Sequence, residues 1–255
     1  RELATTTARL SLDEMAGSMG FVVGKRAGAP DGSRVAIELT GPLQRTIKVQ
    51  VDGRAKVVED FGGGIPGWGY SESPLIDGNK LIVTPGGAQG AIVALDKKTG
   101  KAIWQSKDLK DGAQYSSVIV ADVKGKRQYI QLFMKTLAGV DAETGDVLWT
   151  SKWPGRTAVI PTPIYSDGHV YISSGYGVGS KLVDITGGEA KEVWSNKVMK
   201  NHHGGVIKVG DHLYGFSDGP GLVCQDFKTG EQVWNERGEG KSKGCGKGCG
   251  KGKGR

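Results

Sequence analysis

The sequence predicts an all-β chain assembled from repeated four-stranded units, and three observations predict it. Tryptophans recur at near-constant spacing: Trp104, Trp149, Trp194 and Trp234 are separated by 45, 45 and 40 residues. An Asp stands eight positions before three of them (Asp96, Asp141, Asp226), with a Thr-Gly pair in between each time. Short apolar runs around Asp-Gly or Gly-Asp precede each of these segments, and no convincing helix interrupts the series. One active site needs one nucleophile or one phosphate cradle, so a motif that returns at this interval specifies a repeated structural unit.

The elements follow in order. In the first unit "SPLIDGNKLIVT" (73–84) supplies one hairpin, and Ile92–Leu95 with Lys101–Trp104 supplies the next. Asp96 at the loop entrance can accept hydrogen bonds from loop amides, and Gly100 can take the left-handed conformation that closes the turn. Trp104 then offers a large apolar face to whatever packs on the hairpin. The second unit repeats this with "SVIVADVKGKRQYIQLF" (117–133) and with Asp141, Gly145 and Trp149. The third, after "TPIYSDGHVYIS" (162–173), reads "LVDITGGEAKEVW"; Asp184 and Trp194 stand ten apart, so its turn carries two extra residues, which loops absorb at little cost. The fourth has "GVIKVGDHLYGF" (205–216), then Asp226, Gly230 and Trp234. Four strands per unit is the pattern of a β-propeller blade, so about four consecutive blades are expected, each with its Trp mostly buried.

Composition bounds the rest. The net charge of +7 is concentrated in "KSKGCGKGCGKGKGR" (241–255), which holds six Lys and Arg and no acid. The folded part is therefore near neutral, and nucleic-acid binding would rest on the tail alone, where no aromatic is interleaved for base stacking. Such Gly/Lys alternation cannot bury a core, so 241–255 is expected to be disordered. No apolar run is long enough to span a membrane, and no signal peptide reads at the start, which begins with Arg1. Cys224 lies in an apolar run as a small core residue, and Cys245 with Cys249 is too few for structural zinc. Residues 1–57 lack the motif and stay unassigned, with short strands that a partial blade could use; blades occupy 58–240.

Several stretches carry candidate chemistry. "PGWGYSESP" (66–74) puts Trp68, Tyr70 and Glu72 ahead of a first strand, an aromatic platform beside a carboxylate that suits a polar, ring-shaped ligand. Arg156 in "WPGRTAVIP" is a candidate anion anchor, against the plainer reading of a surface ion pair. His202 and His203 in "NHHGG" are adjacent; on a regular strand they would point to opposite faces and could not share a metal, whereas in a loop they could. "GYGVG" (175–179) and "TPGGAQG" (84–90) are not followed by a helix and so do not form phosphate loops. Neither a catalytic residue nor a metal set is assigned.

The A-x-D-x-x-T-G-x-x-x-W pattern resembles the tryptophan-docking motif of the PQQ-like, quinoprotein-type β-propellers. "FGGGIPGWGYSESPLIDGNKLIVTPGG" and "NHHGGVIKVGDHLYGFSDGPGLVCQDFKTGEQVWNERGEGK" extend the likeness over roughly 58–241. The resemblance implies an eight-bladed ring with each Trp packed between neighbouring blades, and an extracytoplasmic, periplasmic location. The break from blade pattern to Gly/Lys alternation reads as a truncated or frame-altered longer propeller. In the family's enzymes PQQ and calcium sit at the centre beneath a vicinal Cys-Cys pair, with a catalytic Asp and calcium-ligating Glu and Asn. This chain has no adjacent cysteines, and no motif here matches those residues. The reading is therefore a non-catalytic scaffold that binds a small molecule or a protein; the alternative is a PQQ-dependent alcohol dehydrogenase, or a fragment of one. PQQ and calcium enter only through the resemblance.

Overall fold

The computed structural model describes residues 61–64 and 66–237 and, before them, the backbone of four strands between Arg26 and Asp60. The tail at 241–255 lies outside the described residues. The described strands form five four-stranded antiparallel sheets, each with its strands in sequence order. Among the described residues there is no helix.

The first sheet comprises β1 (Arg26–Gly28), β2 (Arg34–Thr40), β3 (Thr46–Val51) and β4 (Arg54–Asp60). The second has β5 (Leu75–Asp77), β6 (Lys80–Val83), β7 (Val93–Asp96) and β8 (Ala102–Gln105). The third has β9 (Ile119–Val123), β10 (Lys126–Leu132), β11 (Thr136–Asp141) and β12 (Val147–Lys152). The fourth has β13 (Ile164–Ser166), β14 (His169–Ser174), β15 (Gly179–Asp184) and β16 (Lys191–Asn196). The fifth has β17 (Asn201–Val209), β18 (His212–Ser217), β19 (Gly221–Asp226) and β20 (Gln232–Glu236). The four sheets from β5 onward are the four units legible in the sequence.

The recurring turn is built as its residues require. Asp96 Oδ1 accepts from the amides of Lys98 and Thr99 at 3.0 and 2.7 Å, and Asp226 Oδ1 from those of Lys228 and Thr229 at 2.9 and 2.7 Å. The glycine that follows takes φ of 76° at Gly100, 79° at Gly145 and 75° at Gly230, a region that favours residues without a Cβ. Just after the turn the pairing slips by one residue, between Ala94/Leu95, Gly139/Val140, Leu182/Val183 and Cys224/Gln225. This bulge re-aims the outer strand and sets each Trp on a defined face of its sheet. The first sheet slips at the corresponding place, between Val49 and Gln50, so Val57 holds the register position that Trp holds elsewhere.

Cross-strand register shows what the Trp belongs to. Leu75, Ile82, Ala94 and Trp104 form one row across the second sheet, and Ile164, Tyr171, Leu182 and Trp194 form its counterpart in the fourth. Each row packs on the next sheet: Ile82, Ala94 and Trp104 cluster with Tyr129, Ala138 and Val140, and Tyr171, Leu182 and Trp194 with Leu213, Val223 and Phe227. The core thus lies between blades. Trp104 and Trp194 donate Nε1–H to the carbonyl just past the next turn's Asp, Ala142 at 3.3 Å and Phe227 at 3.1 Å. A Cβ on Gly145 or Gly230 would come within 2.4 and 2.5 Å of those rings, so only glycine lets the indole lie there.

Two tryptophans differ from that pair, Trp149 in its hydrogen bond, although it shares a buried cluster with Val170, Ile172 and Val183 of the fourth sheet, and Trp234 in its exposure. Trp149 is 6% exposed, but its Nε1 donates at 2.6 Å to Gln128 Oε1 of its own sheet. Its row is Ile119, Ile130, Gly139 and Trp149, and a Cβ on Gly139 would stand 2.3 Å from the ring, so the indole lies over its own third strand. The longer turn after Asp184 leaves Gly188 with no neighbouring atom within 4 Å of its Cβ position, and the usual seat for the ring is not formed. Trp234 is 40% exposed rather than buried, because among the described residues no sheet follows the fifth to cover it.

Candidate functional site

Strand direction divides the loops into two ends. At one end lie the crossovers 61–74, 106–118, 153–163 and 197–200, together with the loops between second and third strands (84–92, 133–135, 175–178, 218–220). All six candidate ligand residues lie at this end: Trp68, Tyr70, Glu72 and Arg156 in crossovers, and His202 and His203 at the start of β17.

Successive crossovers are stitched together. The Trp68 amide donates to Tyr115 Oη at 3.0 Å, Ser73 N to Ser117 Oγ at 2.8 Å, Ser117 N to Thr162 Oγ1 at 3.4 Å, and Tyr115 N to the Val159 carbonyl at 3.0 Å. Backbone amides that no strand can pair are thereby satisfied by the next blade, which fixes an otherwise irregular surface.

Within that frame the six residues have different freedoms. Tyr70 is buried and donates to the carbonyls of Gly64 and Pro85, each at 2.9 Å; burial, with Glu72 nearby, pushes its phenol above the usual range. Glu72 accepts from the Thr84 amide at 2.6 Å, so it holds its loop on β6. Trp68, by contrast, is 70% exposed, its ring 5.9 Å from that of Tyr115. Arg156 is also exposed, beside Thr157 at φ 55°. The platform therefore consists of Trp68 and Tyr115, while Tyr70 and Glu72 hold its support in shape.

The histidine pair sits in a wide bulge. Register passes from Asn201↔Ser217 directly to Val206↔Gly215, and the released segment contains Gly204 and Gly205 at φ 92° and 124°. Strand alternation is lost there, so the adjacent rings stack with centroids 4.1 Å apart and an interplanar angle of 13°. His202 Nδ1 lies 3.5 Å from Asp218 Oδ2, and the Tyr176 ring centroid is 4.1 Å from that of His202. His202 Nε2 is buried without a hydrogen-bond partner, while His203 is exposed. Sequence reasoning missed Tyr115, Tyr176 and Asp218. Tyr176 was visible only as the second residue of "GYGVG", whose use is a tight turn at φ 55° that lays an aromatic on His202.

The opposite end is an ion network. Arg127 pairs bidentately with Asp77 at 2.7 and 2.8 Å and with Asp122 at 2.7 Å, and Tyr129 donates to Asp77 at 2.8 Å. The Arg127 guanidinium holds the Asp77 carboxyl below its usual range. Lys80 bonds Glu143 at 2.6 Å and the Ala142 carbonyl at 2.8 Å. These contacts join two blades. Among the described residues no three His, Cys, Asp or Glu converge on one point, and the one described cysteine, Cys224, is buried alone. The described donors do not fit a calcium site of the quinoprotein kind.

Sheets docked face to face through a recurrent Trp, with irregular crossovers gathered at one end, define a β-propeller of the PQQ-like class. A family model described as "Outer membrane protein assembly factor BamB" matches residues 39–236, and the chain belongs to that family. It is 27% identical over 174 residues to the assembly factor BamB of Nitrosomonas eutropha, a match covering 64% of this chain and 38% of the relative. It is 31% identical over 105 residues to BamB of Francisella salina, covering 40% of this chain and 18% of the relative. The chain thus spans about two fifths or less of the curated relatives it matches. Among solved structures, BamB from Moraxella catarrhalis superposes with a TM-score of 0.64 at 19% identity, over 85% of this chain and 62% of that one. A europium-containing methanol dehydrogenase gives 0.50 at 13% identity, over 86% and 52%. Likeness at these identities shows the fold alone.

Proposed function

We propose that this chain is a non-catalytic, protein-binding propeller that works outside the cytoplasm in the assembly of outer-membrane proteins. The observation that carries this is the family match across 39–236. The crossover end supplies the surface: a cross-stitched platform with Trp68 at 70% exposure, Arg156 two crossovers further along, and His203 beyond. Exposed Trp and Arg are the side chains that most often anchor protein interfaces. A partner segment with an apolar anchor and an acidic group fits Trp68 and Arg156.

The enzyme reading has no comparable support. Hydride abstraction from an alcohol needs a positioned base and a cation polarising the quinone. Of the carboxylates at the crossover end, Glu72 is engaged by Thr84 and Asp218 by Tyr176 and His202.

The test is affinity capture from a periplasmic extract after cross-linking, with wild type, Trp68→Ala and Arg156→Glu in parallel. Wild type is expected to retain a component of the outer-membrane assembly machinery, and each variant to lose most of it with its thermal midpoint unchanged. Equal retention by all three would contradict the assignment of the surface. Alcohol turnover with PQQ and calcium would contradict the non-catalytic reading.

A further inference from the structure

Five buried side-chain oxygens pair with no described group: Thr84 Oγ1, Ser116 Oγ, Gln131 Oε1, Ser173 Oγ and Asn201 Oδ1. Each of these residues is at most 1% exposed. Buried polar atoms are nearly always satisfied, by protein or by ordered water.

Their positions repeat. Thr84 and Ser173 stand four residues after Lys80 and His169, which pair with Asp96 and Asp184 at the start of their second strands. Two residues before them, Ile82 and Tyr171 pack on the following sheet, and alternation carries that face on. Asn201 pairs with Ser217 at the entry to β17, and continuing the register of β9 puts Ser116 at the same place, opposite Phe133. Between the third and fourth sheets the two matching positions hold Leu132 and Pro161, both buried and apolar. Leu132 packs there with Val170 and Ile172 of the following sheet. Two interfaces therefore carry unpaired oxygens where the one between them carries none.

The loops bring each set together. The Thr84 amide donates to Glu72 Oε1 at 2.6 Å and that of Ser73 to Ser117 Oγ at 2.8 Å, while Gln131 Nε2 donates to the Ser116 carbonyl at 3.0 Å. At the other interface a Cβ on Gly175 would stand 2.8 Å from that of His202, the neighbour of Asn201.

We propose that one water molecule is bound between the second and third sheets, by Thr84, Ser116 and Gln131, and one between the fourth and fifth, by Ser173 and Asn201. The donor set suits water. Asn201 Nδ2 already donates to the carbonyls of Gly205 and Phe216, as Gln131 Nε2 does to that of Ser116, so both amide oxygens need a donor from elsewhere. The hydroxyls can donate or accept, and none of the five residues carries a charge that would favour an ion. A buried water makes about three hydrogen bonds, which the three oxygens of the first site supply. The inference concerns the interior behind the crossovers and is independent of the partner surface.

Oxygen-17 magnetic relaxation dispersion of the full chain, which counts waters held inside a protein, tests it. Thr84→Val with Ser116→Ala is expected to remove one water from the count, and Ser173→Val one, whereas Leu132→Val removes none; each variant is checked for an unchanged circular dichroism spectrum. A second readout needs no substitution: nuclear Overhauser cross-peaks to water are expected at the side-chain protons of Thr84 and Ser173 and not at the Leu132 methyls. Wild type without internal water, a count unchanged in either polar variant, or equal cross-peaks at Leu132 would overturn the proposal.

Discussion

Trp104 and Trp149 carry the same indole at the same repeat position, yet one bonds to the next blade and the other to its own. The difference lies in two partners. Gly145 offers Trp104 a seat with no Cβ, whereas Trp149 finds the longer Asp184 turn ahead of it and Gly139 beneath it. Trp149→Ala is expected to cost about 3–5 kcal/mol in chemical denaturation, the usual range for deleting a buried aromatic. Trp234→Ala, at 40% exposure, should cost clearly less. Gly139→Ala would place a methyl 2.3 Å from the Trp149 ring, and overpacking of that kind costs about 1–3 kcal/mol. The same substitution at Gly64, whose Cβ position has no neighbour within 4 Å, should be nearly neutral. The longer Asp184 turn was legible from spacing, but the seat of each indole was not, because the motif names the Trp and not the residue it lies over.

At the scale of the hairpin turn, the repeated Asp makes an acid-sensitive element. Asp96, Asp184 and Asp226 are held below the ordinary carboxyl range chiefly by the backbone amides of Thr99, Thr186 and Thr229. For Asp141 burial pushes the carboxyl up, and the amides of Glu143 and Thr144 with Lys126 outweigh it. An unfolded Asp titrates near about 3.9. A folded value below that gives stability that is fully present above about pH 4 and lost as pH falls through the folded value. The thermal midpoint is therefore expected to hold between about pH 7 and 5 and to drop below about pH 4, with Asp226→Asn flattening that drop. A midpoint unchanged down to pH 2.5 would show that these carboxyls do not lock the turns. The turns were the most legible elements in the sequence, since Asp, Thr and Gly each have one physical task there. The first sheet was not, because only two residues separate β3 from β4 and Val57 stands at the register position that Trp holds elsewhere. Its bulge, which carries the same architecture, has no composition of its own.

For the whole molecule, the period of the Trp residues marked the four sheets from β5 onward, and the resemblance to the PQQ-like propellers implied that each Trp packs between neighbouring blades. The site was harder. Trp68, Tyr70 and Glu72 are adjacent in sequence, yet only Trp68 is left exposed, and what separates them is Pro85, Thr84 and Tyr115 arriving from other loops. The His pair was readable as a pair, but its stacking depends on a bulge that Gly204 and Gly205 permit and Tyr176 with Asp218 complete. The proposed function makes the crossover end a protein-binding platform. Hydrogen–deuterium exchange of the full chain, with and without its captured assembly partner, tests it most directly. Protection is expected to concentrate in 66–73, 106–117 and 153–162, with the Asp-x-x-Thr-Gly turns at the opposite end unchanged. Protection confined to those turns or to the outer strands, with the crossovers unaffected, would contradict the account.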